Sequence, residues 1–422
     1  MATSYLARDV FVPGGRPTVT YQARTGLEEQ LRDQLAYGDH GILSVSGPTK
    51  TGKTVLVRQM VEDAIFLEGG QIDSFESFCH SILDHFSVPT EFERSISEEE
   101  IDGTDRGIKG GVPVLSADYK RQNSEKTSTT VSTKQSRSPN IATSEALAGG
   151  GKPLVIDDFH YVEPSLQLNI VRFLKSLVFD GLTVVLVSVP HRAYDAVRVE
   201  REMTGRLTVV EVGFWSNNDL MSIARTGFDA LNAADVHELV AHQLVNETFS
   251  SPHLMQQFCL GVCKENLIPA TLTDRRNLSE PTDGWPSFYR GFASSASKVA
   301  FDRLARGGRQ RQDRIRRELT DGRIVDIYGL VLEAIARTGP TVSIKYETLR
   351  AEMRNLIKGV QPQRNQITQV LEKMSEIART NIEGEPVVDW VPGDDVLHIS
   401  DPYFAYYLRW GNRETIELSG EE

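Results

Sequence analysis

Gly47-Pro48-Thr49-Lys50-Thr51-Gly52-Lys53-Thr54 is the stretch whose reading decides the fold. It has the form G-x-x-x-x-G-K-T. An apolar run, Ile42–Ser46, precedes it, and Val55, Val57, Met60, Val61 and Ile65 follow at helical spacing, predicting a helix over 54–66. Strand, glycine loop and helix in that order are the context in which this spacing cradles phosphate. The glycines allow backbone angles that turn successive N–H groups toward one centre, and the following helix start adds partial positive charge. The backbone from Gly47 to Gly52 would wrap the anion. Lys53 would reach the β- and γ-phosphates of a nucleoside triphosphate, and the Thr54 hydroxyl would hold magnesium. ATP and Mg2+ are therefore the expected cofactors.

A second apolar strand ends in two carboxylates, Leu154-Val155-Ile156-Asp157-Asp158. It is expected to lie beside the loop strand, with Asp157 orienting a metal-bound water. Asp158 is either the general base for an attacking water or a cap on the next helix. Leu182 to Val189 forms the next strand. Ser188, near its end, is placed to contact the γ-phosphate or the attacking water. Arg192 follows in Pro190-His191-Arg192 and could approach the γ-phosphate from the same chain. Arg198, Arg201 and Arg206 cluster before the strand Leu207 to Val212. Arg206 could reach a neighbouring subunit's nucleotide and stabilise transition-state charge, with Arg201 as second choice. The alternative is a salt-bridged surface helix with Glu200 and Glu202.

The bulk numbers bound the rest. A chain of 422 residues is too long for one ordinary domain, and 40% hydrophobic with 25% charged residues fits a globular protein. No apolar run reaches the roughly 18–20 residues of a membrane helix, and the opening residues lack a signal-peptide pattern. The expected compartment is the cytoplasm, with no membrane partner. A net charge of −12 argues against nucleic-acid affinity over the whole surface. The three cysteines, Cys79, Cys259 and Cys263, are read as buried reduced thiols. Metal or redox use of the second pair lacks a completing ligand.

The fold class expected is α/β: a parallel sheet with helices on both faces, then a helical lid and a winged helix-turn-helix. Residues 1–25 read as an extended N-terminal arm and 26–212 as the nucleotide-binding domain. Within it, 89–151 is rich in Ser, Thr, Gly, Lys and Glu and reads as a disordered insertion. Residues 213–267 read as the lid, 268–322 as a polar, basic linker, and 323–415 as the winged helix. The wing strands are Pro386 to Val391 and Val396 to Ser400, around the turn Pro392-Gly393-Asp394-Asp395.

These features together resemble the prokaryotic AAA+ and STAND branch of phosphate-loop ATPases. The resemblance implies further roles. Tyr21-Gln22-Ala23-Arg24, with Gly26 and Glu28, looks like the motif that lies against the adenine base. Asp157 and Asp158 look like the magnesium and catalytic acids, Ser188 like the first sensor, and Arg192 like the arginine closing that strand in STAND proteins. Arg206 looks like the arginine finger of AAA+ proteins. Ser251-Pro252-His253 looks like the lid motif whose proline packs on the nucleotide. His253 or Leu254 stands where AAA+ lids often carry a second-sensor arginine, which favours the STAND side. The segment Ile399-Ser400-Asp401-Pro402-Tyr403 onward looks like the end of winged helices in this group, and its aromatics read as core.

For partners, Arg303, Arg306, Arg309, Arg311, Arg314, Arg316 and Arg317 form the strongest basic stretch. It could contact DNA phosphates, or pair with the acidic body of the chain. The presumed recognition helix, Arg364 to Thr380, mixes Arg364, Lys373 and Arg379 with Glu372 and Glu376. Its Gln363, Asn365, Gln366 and Gln369 could read base edges, but its mixed charge favours protein contacts. Three readings result. The first is an ATP-hydrolysing switch that moves lid and winged helix, acting on a protein partner and assembling into ATP-dependent homo-oligomers. The second is a DNA accessory or loader ATPase. The third is a non-hydrolysing nucleotide-dependent scaffold.

Overall fold

The computed structural model describes residues 4–37, 41–87, 138–189, 206–293, 295–308, 314–339, 341–382 and 386–412. The chain forms two compact units. One comprises Gln30–Val45 and Gln59–Val210. The other comprises Met1–Glu29, Ser46–Arg58 and Glu211–Glu422.

The first unit is built on a five-stranded sheet. Its strands are β1 (Ile42–Ser46), β2 (Ile65–Glu68), β3 (Leu154–Asp157), β4 (Val184–Ser188) and β5 (Leu207–Glu211), in the order β2-β3-β4-β1-β5. β2, β3 and β4 run parallel, with Ile65 opposite Leu154 and Leu154 opposite Val184. β3 and β4 are buried along their whole length, as strands covered on both faces must be. The acidic strand β3 is not beside the loop strand β1, as the sequence reading had it; β4 lies between them. Strand order is set by long-range packing, which no local spacing encodes.

Two further expectations change here. α2 (Thr25–Tyr37) precedes β1, but α3 (Lys53–Met60) is shorter than the predicted helix. Asp63 adopts a left-handed backbone with φ 50°, and Ile65 and Leu67 enter β2 instead. Their alternate burial is strand-like, and Ile65 bonds through its N–H to the Pro153 carbonyl at 2.8 Å. The second change concerns the stretch read as disordered. Its last part forms α5 (Pro139–Gly150), and the described residues exclude 88–137. Pro139 starts the helix and Gly151, at φ 61°, ends it. α4 (Phe75–His85), α5 and α6 (Pro164–Phe179) cover the sheet, contributing Phe78, Ile82, Leu147, Ile170 and Leu174 to its core.

The second unit holds one continuous core running from the N-terminal arm to the last helix. The arm is more than extended chain. α1 (Ala7–Val10) is a helical turn, the Ala7 N–H donates to Pro269 at 2.9 Å, and Phe11 packs edge-on to Phe228. Gly227 makes this approach possible: a Cβ there would lie 2.2 Å from the Phe11 ring. The helical segment expected at 213–267 contains α7 (Asn217–Ala230), α8 (Leu239–Val245) and α9 (Pro252–Glu265). Ser216 caps α7 in a reciprocal box with Asp219, and Ser251 caps α9.

The stretch read as a linker folds too. α10 (Gly284–Arg290) and α11 (Ser295–Arg306) bury Phe288, Tyr289, Phe301 and Leu304. Phe258 sits fully buried among Phe288, Tyr289, Phe292 and Tyr406, so truncating it would cost about 3–5 kcal/mol. The winged helix follows as α12 (Ile327–Arg337), β6 (Ser343–Lys345), α13 (Tyr346–Leu356), α14 (Arg364–Thr380), β7 (Val388–Val391), β8 (Val396–Ile399) and α15 (Pro402–Trp410). β6 adds a third strand to the expected hairpin, pairing antiparallel to β8 with Ile344 opposite Leu397. Among the described residues no helix is long and apolar enough to cross a membrane.

Candidate phosphate-loop site

β1 leads directly into the glycine loop. A Cβ at Gly47 would lie 2.2 Å from the Val212 carbonyl, so only glycine fits where the loop leaves the sheet. Lys50 (φ 58°) and Gly52 (φ 88°) both take left-handed backbone on either side of Thr51, the alternation that makes a concave nest of N–H groups. Pro48 removes one donor from the loop. Lys53 opens α3 and is buried; its Nζ donates to the Gly47 and Pro48 carbonyls at 2.9 Å each. The Thr51 hydroxyl also donates to Pro48, at 2.8 Å. Thr49 and Thr54 are half-buried, Thr54 as the second residue of α3.

Lys50 points elsewhere. Its ammonium lies 3.2 Å from Asp401 Oδ1 and 4.2 Å from the centre of the Tyr403 ring. Asp401 also accepts the Tyr403 N–H at 2.9 Å, capping α15. The Tyr403 hydroxyl bonds His253 Nδ1 and lies 2.9 Å from Gln257 Oε1. A hydroxyl has one proton; if it goes to Gln257, His253 donates from Nδ1. Burial pushes the His253 imidazolium pKa down, the Lys50 charge pushes it further, and burial pushes the Tyr403 phenol up. Pro252, beside His253, is the first residue of α9. Five residues before Pro252, buried Glu247 accepts from Arg409 at 2.7 Å and Trp410 at 2.8 Å.

In the stretch likened to an adenine-side motif, Tyr21 donates to Glu28 at 2.5 Å and Gln22 to Thr226 at 3.2 Å. Arg24 donates to the Gly213 carbonyl at 2.9 Å, and its guanidinium lies 5.6 Å from the centre of the Trp215 ring. Burial lowers the Arg24 pKa. Trp215 in turn donates its indole N–H to the Thr51 carbonyl at 2.8 Å, inside the loop. Sequence reasoning missed Trp215 because no motif marks a lone tryptophan; its place, just after a sheet strand and one residue before a helix cap, was the available signal. It read Tyr403 as core, and Tyr403 does pack against the core while its ring also faces Lys50, a contact the spacing does not show.

In the sheet unit, Asp157 ends β3 and Ser188 ends β4. Because these neighbours are parallel, both side chains sit at one edge of the sheet. Asp157 is buried, and its Oδ1 accepts the Asp158 N–H at 3.0 Å. Asp158 is left-handed (φ 51°), and its side chain makes no capping bond to the turn Phe159–Tyr161. Gly69 packs so closely on this bend that a Cβ would lie 2.3 Å from the Asp158 carbonyl. The Ser188 hydroxyl is buried and has no hydrogen-bond partner among the described residues. Arg206 stands immediately before β5, its guanidinium 5.4 Å from the centre of the Phe179 ring. Arg192, Arg198 and Arg201 lie outside the described residues.

No family model matches the sequence, and no curated protein does. Solved structures do. The ORC2 protein of Aeropyrum pernix, in ADPNP–ADP complexes, superposes with a TM-score of 0.52 at 13% identity, covering 95% of each chain. Cdc6p of Pyrobaculum aerophilum gives 0.42 at 12% identity over 94% of this chain and 96% of that one. A Signal Transduction ATPase with Numerous Domains from Pyrococcus horikoshii gives 0.35 at 12% identity over 94% of this chain and 42% of that one. With its strand order, its glycine loop and its C-terminal three-helix, three-strand module, the chain has the fold of a phosphate-loop NTPase followed by a winged helix, and it shares its overall fold with the first of these structures.

Proposed function

We propose that the chain binds ATP with magnesium, hydrolyses it slowly, and uses nucleotide state to set the position of a lid (213–267) and a winged helix (323–415). The observation that carries this is the Lys50–Asp401 pair, which ties the phosphate loop to the N-cap of α15. A nucleotide shifts conformation only through contacts that differ between states. Lys50 offers such a contact, because an ammonium in the loop answers either to a phosphate or to Asp401.

In this reading Lys53 and the loop N–H groups hold the phosphates. The Thr54 hydroxyl and the Asp157 carboxylate are oxygen donors of the kind magnesium takes when phosphate and water complete its shell. No group of three or more His, Cys, Asp and Glu that could hold a metal occurs among the described residues, so the ion would arrive with the nucleotide. The metal would neutralise charge on the phosphates. Asp158 would take the proton of the attacking water, and Ser188 would orient that water. Arg206, and Arg192 from the same chain, would meet developing charge, Arg206 across an ATP-dependent homo-oligomer. Arg24 and Pro252 would flank the base. Hydrogen exchange over residues 215–265 and 324–410, with ADP and with a non-hydrolysable ATP analogue, tests the switch. Protection that differs between the two supports it; identical protection sinks it.

A specific observation bears on the DNA-loader alternative. On α14, Arg364 pairs with Asp395 at 2.5 Å, Lys373 with Glu376 at 2.6 Å, and Arg379 with Asp389, while Glu372 stays exposed. A helix whose cations are already paired favours a protein partner over phosphates. The scaffold alternative predicts no turnover; steady phosphate release lost in Asp158→Asn would reject it.

A further inference from the structure

We infer that Trp215 is a positioning residue for phosphate binding, acting through the Thr51–Gly52 peptide; the inference rests on the nucleotide reading above. A trans peptide points its C=O and its N–H in opposite directions. The indole of Trp215 holds the Thr51 carbonyl at 2.8 Å. Fixing that carbonyl on one side aims the Gly52 N–H to the other, between two left-handed residues, Lys50 and Gly52. The inner bonds of the loop fix different groups: the Lys53 ammonium and the Thr51 hydroxyl engage the Gly47 and Pro48 carbonyls. Of the bonds described, only the indole holds the peptide that precedes Gly52.

Trp215 is itself held. Its ring is half-buried beside the Arg24 guanidinium, and Arg24 is anchored on the Gly213 carbonyl. Trp215 stands one residue before Ser216, the cap of α7. A single side chain therefore joins the N-terminal motif, the first helix of the lid and the phosphate loop. Its effect on ligand affinity falls on the phosphates, since it aims a loop N–H.

The test is calorimetry of ADP and of adenosine on the full chain, wild type and Trp215→Phe. Phenylalanine keeps an aromatic ring and removes the N–H. ADP affinity is expected to fall about fivefold, the worth of one ordinary hydrogen bond, with adenosine affinity unchanged. Equal losses for both ligands would make Trp215 a base-stacking residue and overturn the inference. An unchanged ADP affinity with a lowered melting temperature would make it merely structural and overturn it equally. If the phenylalanine variant fails to fold, Trp215→Leu, which likewise has no donor, is measured against the same two ligands. A wild-type chain that binds no ADP refutes the nucleotide reading itself, and the inference with it.

Discussion

Lys50 and Asp401 stand 351 residues apart in sequence and 3.2 Å apart in space, joining the loop that carries the G-K-T signature to the cap of the last helix. The pair is partly exposed, at 36% and 19% for the two side chains, so its direct worth is about 0.5–1 kcal/mol, with a similar increment from the Tyr403 ring. Asp401→Asn is expected to raise hydrogen exchange in residues 402–410 several-fold while the melting temperature moves little. If exchange there stays at the wild-type rate, the pair is an incidental surface contact.

Lys53 makes a sharper case. Its ammonium is buried against two loop carbonyls, so Lys53→Ala leaves both short of a donor and costs about 1 kcal/mol of stability. Charge-assisted contacts to phosphate are stronger, and ADP affinity should drop by about 30- to 100-fold. Calorimetry on the folded variant decides; unchanged affinity would contradict the site.

The basic stretch from Arg303 to Arg317 yields a prediction about DNA. Arg303 bonds the Asn381 carbonyl, Arg314 pairs with Asp326 at 2.5 Å, and Arg317 donates to Ile315 at 3.1 Å. Arg303 and Arg314 brace the winged helix, while Arg309 and Arg311 lie outside the described residues. DNA retention on filters is therefore expected to be weak, with a shallow dependence on salt. A steep loss of binding between about 50 and 200 mM salt, of the kind that several released counterions produce, would revive the loader reading.

What could be read from the sequence follows the range of the physics. The phosphate loop is nearly local: Gly52 is demanded by its own left-handed backbone and eight consecutive residues state the site, although Gly47 is demanded by the distant Val212 carbonyl. The apolar strands and Asp157 are nearly as local. The insertion of β4 between β3 and β1 is not, because apolar strands of like length are interchangeable until their helices dock. The helix Pro139–Gly150 was hidden by its neighbours' composition, although Pro at its start and Gly at its end are ordinary stop and start signals. Trp215 and Asp401 were illegible for another reason. Their partners, Thr51 and Lys50, lie 164 and 351 residues away, and a single aromatic or carboxylate has no spacing to reveal it.

His253 makes stability depend on pH. It faces Tyr403, Lys50, Gln257 and Asp401, and its folded pKa lies below the ordinary imidazole value because of burial and then Lys50. A base with a depressed folded pKa binds fewer protons folded than unfolded, so its contribution is fully present above about pH 6.5 and is lost as pH falls toward the folded value. Melting temperature should fall between about pH 6.5 and 5 in the wild type, and the fall should be smaller in His253→Gln. Parallel curves for the two proteins would assign the acid sensitivity to other groups.

Ser188 separates stability from activity. Ser188 is 2% exposed and its hydroxyl has no hydrogen-bond partner among the described residues, and a buried polar group left so costs folding about 1 kcal/mol. Removing it would then leave the protein as stable as before, or more stable by about that amount. A residue kept at such a cost at the end of β4, level with the edge that carries Asp157, fits work on a ligand better than work on the fold. Ser188→Ala is therefore expected to hold or raise the melting temperature, to bind ADP as the wild type does, and to release phosphate at least tenfold more slowly, a change of roughly 1.4 kcal/mol in the barrier. Ser188→Thr keeps the hydroxyl and should recover part of the rate if the larger side chain is accommodated. Wild-type turnover in the alanine variant would remove Ser188 from the catalytic set.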